Sequence, residues 1–189
     1  HLPEQWQGRY KELTFNVKPM NFKHTGVFPE QAANWDFAME KIRGAGRPIS
    51  VLNLFAYTGG ATIACAAAGA SVCHVDAAKG MVAWAKENAR SSGLEEKPIR
   101  WIVDDCGKFV EREIWKLEDN LYPFVELVSK VLSDDPLFVI INSYTTGLAP
   151  SVLGYILDML VSKQYGGKTR CDELGLPVTN TGLALPCGS

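Results

Sequence analysis

Histidine is scarce in this 189-residue chain: His1, His24 and His74 are the only three. The five cysteines, Cys65, Cys73, Cys106, Cys171 and Cys187, are odd in number and scattered. None makes a Cys-x-x-Cys pair or stands near a histidine at a zinc-binding spacing. The expectation is therefore no metal site, with the thiols buried and reduced. An excess of either charge is also missing, since 19 Lys and Arg stand against 21 Asp and Glu, a formal net charge of −2. That balance removes the simple electrostatic argument for a nucleic-acid surface. It leaves only a local basic cluster, Lys11, Lys18, Lys23 and His24, which reads first as a solvated face. No apolar run is long enough to span a bilayer, and the start lacks the basic-then-apolar pattern of a leader peptide. Both point to a cytoplasmic protein with no membrane partner. The dinucleotide fingerprint G-x-G-x-x-G is absent as well, which disfavours a nicotinamide-dependent oxidoreductase.

What is present is ordinary for a packed protein: 47% hydrophobic and 21% charged residues, at a length that suits one full domain. Arg9 to Val17 carries apolar positions near period two and reads as a strand. Pro29 is placed to open a helix from about Glu30 to Ile42. From Ser50 onward short apolar runs alternate with helical stretches. Strands are expected at 51–55, 72–75, 99–103 and, most apolar of all, Leu137 to Ile141. Helices are expected at 61–68, 81–90, 108–114, 118–132 and about 150–161. Two weaker strands, 167–171 and 181–185, close the chain. Strand alternating with helix argues for an α/β fold, a mostly parallel, doubly wound sheet ending in an antiparallel hairpin. We read residues 1–47 as an extension packing on a core of residues 48–189.

The alternation breaks once. Between Val103 and Leu137 two helical stretches follow one another with no strand between them, although a crossover returns to its sheet before the next helix begins. Phe124, Leu127, Val128 and Val131 give the second stretch an apolar face that wants a sheet to cover. The pattern implies that a strand and its loop are missing between Ile114 and Trp115.

Three strand ends carry polar or glycine-rich turns. The first is Asn53-Leu54-Phe55-Ala56-Tyr57-Thr58-Gly59-Gly60, a strand running into a glycine pair and a helix. In open α/β sheets ligands bind beyond such strand ends, and glycine permits positive φ and close backbone approach. The second is His74-Val75-Asp76, where an acid can accept hydrogen bonds from both hydroxyls of a ribose, or can merely cap the following helix. The third is Asp104-Asp105-Cys106, where a carboxylate can accept from an exocyclic amine, or again cap a helix. All three open on the same edge of the sheet.

These segments, with Val75 to Gly80 and Ala85-Lys86-Glu87-Asn88-Ala89, resemble the class I S-adenosylmethionine-dependent methyltransferases. More narrowly, they are similar to the branch of large-subunit ribosomal RNA cytosine methyltransferases. The resemblance covers about 25–185 and is most specific over Leu54 to Gly60. It implies a Rossmann-like methyltransferase fold, S-adenosylmethionine as cofactor and RNA, ribosomal RNA first, as substrate. Carried over by position, it places Asn53, Phe55, Ala56, Tyr57, Thr58, Gly59 and Gly60 around the methionine portion of the cofactor. It puts Asp76 and Ala77 at the ribose, Asp104 and Asp105 at the adenine amine, and Cys106 against the ring. The run Thr25 to Gln31 resembles the segment that closes over the cofactor in that branch, with Phe28 and Gln31 as contacts.

Two departures bear on catalysis. The family's fourth strand ends in Asp-Pro-Pro beside the transferable methyl, and this sequence has no such motif after a strand. The cytosine branch also places a nucleophilic cysteine after the fifth strand, where this chain has Asn142-Ser143-Tyr144. No catalytic residue is assigned, and nitrogen or oxygen methylation stays open because transfer from a sulfonium needs mainly positioning and loss of a proton. Two alternatives remain beside RNA methylation: a small-molecule or protein methyltransferase on the same fold, and a cofactor-binding protein without catalysis.

Overall fold

A computed structural model describes residues 3–20, 24–104, 106, 117–145 and 147–189. The chain divides into two compact units, His1–Phe109 and Val110–Ser189. In the first unit the alternating residues at its start form a hairpin, not the single strand expected. Strand β1 (Trp6–Tyr10) pairs antiparallel with β2 (Leu13–Val17). The sequence hides this turn because Lys11 takes it, at φ +50°, in place of the glycine or asparagine that usually marks one. A short 3₁₀ turn, Pro29–Gln31, leads into α1 (Ala32–Gly44), with proline in its first turn.

The parallel part follows: β3 (Ser50–Leu54), α2 (Gly60–Ala67), β4 (Ser71–Asp76), α3 (Lys79–Ser91) and β5 (Ile99–Val103). The sheet order is β3-β4-β5, in a register that sets Asn53, His74 and Trp101 side by side. Helix α1 packs on α2, and α3 packs on β2 as well as on β4 and β5. Leu13, Phe15, Trp35, Ile63, Val72, Val75 and Trp84 are buried here, with Phe15 stacked on Trp35 at 5.1 Å. Trp35 and Trp84, each 5% exposed, are thus packing residues. Helix α3 shows why periodicity works: Val82, Ala85 and Ala89 fall on one buried face.

The second unit contains α4 (Leu117–Ser129) and α5 (Pro150–Leu157), which runs on through a π-helical turn, Asp158–Ser162, and a last turn, Lys163–Tyr165. Leu121, Val125, Leu153 and Ile156 form its buried cluster, with Ile141, Leu148, Leu157 and Leu160 against it. Strands β6 (Leu174–Val178) and β7 (Leu183–Gly188) pair antiparallel.

Two expected strands do not form. Residues 167–171 stay out of the hairpin: its first strand begins at Leu174, while Gly166 and Gly167 sit at φ +77° and +99°. Leu137 to Ile141 is half-buried but joins no ladder among the described residues. A strand is a paired structure, and among the described residues the backbone pairing beside this run is the two-bond bridge between Ser143 and Ser189. The expected helix over 108–114, the junction of Ile114 with Trp115, Lys23 and Asp105 lie outside the described residues. The architecture is Rossmann-like α/β: a parallel sheet with helices, and a C-terminal antiparallel pair.

Candidate functional site

The turn after β3 is held in an unusual backbone conformation. Phe55 and Tyr57 both sit at φ +51°, and Gly59 at +83°. An aromatic residue in the left-handed region costs on the order of 1–3 kcal/mol, so the surroundings must hold the loop there. Ala56 extends the ladder by donating its N–H to the Val75 carbonyl (3.1 Å), and Gly59 closes the turn onto the Ala56 carbonyl (2.9 Å).

Asp76, at the end of β4, joins the three strand ends. One carboxylate oxygen accepts from the Tyr57 N–H (2.8 Å) and the other from the Ala78 N–H (2.9 Å). Its main-chain carbonyl accepts from Asp104 N–H at 3.1 Å, which ties in the end of β5. The bond to Ala78 is the helix-entry role, and of the roughly four acceptor positions of a carboxylate two remain beyond these bonds. Cys106 is buried beside this point, its Sγ 3.8 Å from the Val75 carbonyl. Ala77 is exposed and Asp104 half-buried.

The glycine pair serves packing. A Cβ at Gly59 would stand 2.9 Å from the Ala85 Cβ, and one at Gly60 would stand 2.7 Å from Trp35 Cζ2. The side-chain positions of both therefore face protein, and what the pair provides is the turn geometry and close helix approach. Thr58 is likewise turned inward, 2% exposed, with its hydroxyl donating to the Gly26 carbonyl at 2.5 Å. Asn53 points back to α2, its Nδ2 donating to Thr62 Oγ1 at 2.9 Å. Phe55, in contrast, is half-exposed, at 53%.

The segment before α1 reaches this loop. The Phe28 ring lies 5.3 Å from that of Tyr57, whose hydroxyl donates to Met20 Sδ at 3.5 Å. Burial raises the Tyr57 phenol above its usual range, so it stays protonated. Gln31 accepts from Asn34 Nδ2 at 3.1 Å. Of the basic cluster, Lys11 pairs with Asp36 and Lys18 lies 4.4 Å above the Trp84 ring. Lys11 in turn holds the Asp36 carboxyl below its usual value.

Sequence reasoning missed two buried polar groups. Asn88 of α3, fully buried, donates to the Thr58 carbonyl at 2.9 Å. His74, also fully buried, shares a 2.9 Å hydrogen bond between Nδ1 and Thr62 Oγ1, while Nε2 has no partner among the described residues. Burial lowers its pKa to about 4, against a raising effect of Asp76. The available signal was a polar residue on an otherwise apolar helix face or in a buried strand. Among the described residues no group of three or more His, Cys, Asp or Glu side chains could hold a metal. No described helix is long and apolar enough to cross a membrane.

Comparison with known proteins places this arrangement. No protein-family profile matches the chain. The Ribosomal RNA large subunit methyltransferase K/L of Shewanella baltica is 33% identical over 97 residues, 51% of this chain and 13% of that protein. Its namesake from Shewanella frigidimarina is 31% identical over 115 residues, 60% of this chain and 15% of the relative. The chain therefore spans only a small part of the curated relatives it matches. The crystal structure of the SAM-dependent methyltransferase from Agrobacterium tumefaciens superposes with a TM-score of 0.90 at 31% identity, covering 100% of this chain and 69% of that one. With that likeness over its whole length, the chain belongs to the S-adenosylmethionine-dependent methyltransferases.

Proposed function

We propose that the ends of β3, β4 and β5 bind S-adenosylmethionine and that the protein transfers its methyl group to RNA, ribosomal RNA first. The observation that carries this reading is Asp76, whose carboxylate fixes two neighbouring turns and keeps acceptor positions for ribose hydroxyls. The loop from Asn53 to Gly60 frames the methionine portion. Phe28 and Gln31 come from the preceding segment, Ala77 borders the ribose, and Asp104, Asp105 and Cys106 take the adenine. Bound there, the cofactor would supply a methyl on a sulfonium to an acceptor held in line with it, the acceptor giving up a proton and the sulfonium leaving as a neutral thioether. The RNA substrate rests on the names of the ribosomal RNA relatives. Residues 1–47 serve as an extension on a core of 48–189, in a cytoplasmic protein.

Calorimetry with S-adenosylmethionine and with NAD tests the site: the first binds and the second does not. Asp76→Ala weakens cofactor binding by about 1–3 kcal/mol through lost hydrogen bonds. Unchanged affinity removes Asp76 from the site. Labelled-methyl transfer to bulk RNA, with and without ribonuclease, decides the substrate. A second reading, cofactor binding without catalysis, is favoured by the absence of the family's Asp-Pro-Pro motif after a strand. Binding without transfer to any acceptor selects it.

A further inference from the structure

We infer that Asn88 and Thr58 are positioning residues through which the N-terminal hairpin and the Gly26 turn set the shape of the cofactor loop. The inference rests on the methyl-donor reading of that loop. Asn88 cannot turn its amide around. Its Oδ1 accepts from both the main-chain N–H (2.8 Å) and the Nδ2 (3.2 Å) of Asn16, which are donors only. Its Nδ2 is thereby aimed at the Thr58 carbonyl, 2.9 Å away. Asn16 is fixed in its turn: its Nδ2 donates to Ser91 Oγ (2.9 Å), its Oδ1 accepts from Gln7 Nε2 (3.0 Å), and its carbonyl accepts from Trp84 Nε1 (2.7 Å). The same Trp84 ring walls the Gly26 turn, where an added Cβ would meet Cζ2 at 2.4 Å. Gly26 in turn receives the Thr58 hydroxyl.

Thr58 is thus gripped at its carbonyl by α3 and at its hydroxyl by the Gly26 turn. It is the residue directly after Tyr57, whose left-handed backbone delivers its N–H to Asp76. Thr58 and Asn88 are both buried, so their effect on the cofactor is transmitted through the Tyr57–Asp76 geometry. Release of either grip lets Tyr57 relax to negative φ and swings its N–H off Asp76.

The test uses Thr58→Val, which deletes one hydroxyl, Thr58→Ser, which restores it, and Asn88→Asp, which keeps the acceptor for Asn16 but turns an oxygen toward the Thr58 carbonyl. All are measured well below their thermal midpoints. Thr58→Val is expected to weaken S-adenosylmethionine binding roughly tenfold, the size of one lost hydrogen bond, and to speed exchange of the Tyr57 and Gly59 amides while the β4 ladder keeps its protection. Thr58→Ser returns both to the parent values, and Asn88→Asp exceeds Thr58→Val. Lowered midpoints with parent affinity and parent loop exchange overturn the inference. If Asn88→Asp does not fold, the Thr58 pair decides alone. If the parent protein binds no S-adenosylmethionine, the methyl-donor reading fails, and loop exchange still tells whether the grips shape the turn.

Discussion

The first unit, 1–109, and the second, 110–189, use similar residue types to different effect. In the first, three parallel strands are paired and three large polar side chains, Thr62, His74 and Asn88, are fully buried with partners. In the second, the buried cluster is four apolar residues on two helices. Tyr122, Val131, Val152, Tyr155, Met159, Leu183 and Leu185 there are each at least 41% exposed. The difference teaches where specificity resides. Apolar periodicity suffices to build helices in both units. A turn with two aromatic residues at positive φ requires directional bonds such as those the first unit places around Thr58 and Asp76, since apolar burial alone is non-directional.

Truncating the core should separate the two units most. Ile63 is fully buried beneath the sheet, and Ile63→Ala is expected to cost about 2–5 kcal/mol in urea unfolding. Ile156 is 8% exposed in the smaller cluster, and Ile156→Ala should fall at the lower end of that range. Equal losses would mean that the two cores are equally well packed.

Glycine substitutions sharpen the same contrast. Gly59→Ala meets both a left-handed backbone and the Ala85 Cβ, so about 2–4 kcal/mol is expected from strain and overpacking together. Gly147 has a similar φ of +89° but open space around it. Gly147→Ala should therefore cost only the backbone term, about 1–2 kcal/mol. Thermal midpoints measured side by side give the difference.

How far the sequence revealed all this follows the same line. The β3, β4 and β5 strands, their helices and the turn at Gly59 were legible because each rests on local period and punctuation. Asp76 was legible as an acid at a strand end, though its hold on the Tyr57 N–H was not. The β1–β2 turn was missed because Lys11 carries no turn signal. Leu137 to Ile141 was misread because a strand's apolar pattern does not supply the neighbour that pairs it. Asn88 and His74 escaped because a buried polar side chain is recognised by its partners, and Asn16, Thr58 and Thr62 are distant in sequence. The strand expected between Ile114 and Trp115, by contrast, rests on an interruption in the α/β alternation alone, because that junction lies outside the described residues.

Acid should weaken the first unit through His74. The folded pKa is lowered from 6.5 to about 4 by burial, so between these values the unfolded chain takes up a proton that the native state refuses. Stability is fully present above about pH 6.5 and declines on the order of 1–3 kcal/mol as pH falls toward 4. His74→Gln should flatten that part of the curve. The second unit has no histidine, so probes within it should show no such inflection. An unchanged pH profile in His74→Gln would assign the decline to other groups, though not to the Asp36 carboxyl, which is lowered from 3.8 and so acts below this window.

The smallest effect is expected on the exposed face of α5 and the turn that follows. Val152, Tyr155 and Met159 stand at helical spacing and are 43%, 68% and 45% exposed. An apolar side chain already in water contributes little to folding, so Tyr155→Ser should move the urea midpoint by no more than about 0.5 kcal/mol. The same substitution made deep in the first unit would be severe, which is why this null result discriminates. A loss several times larger would mean that Tyr155 is covered in the folded protein in solution. The second unit would then owe part of its stability to whatever covers that stripe, and the contrast between the units would narrow.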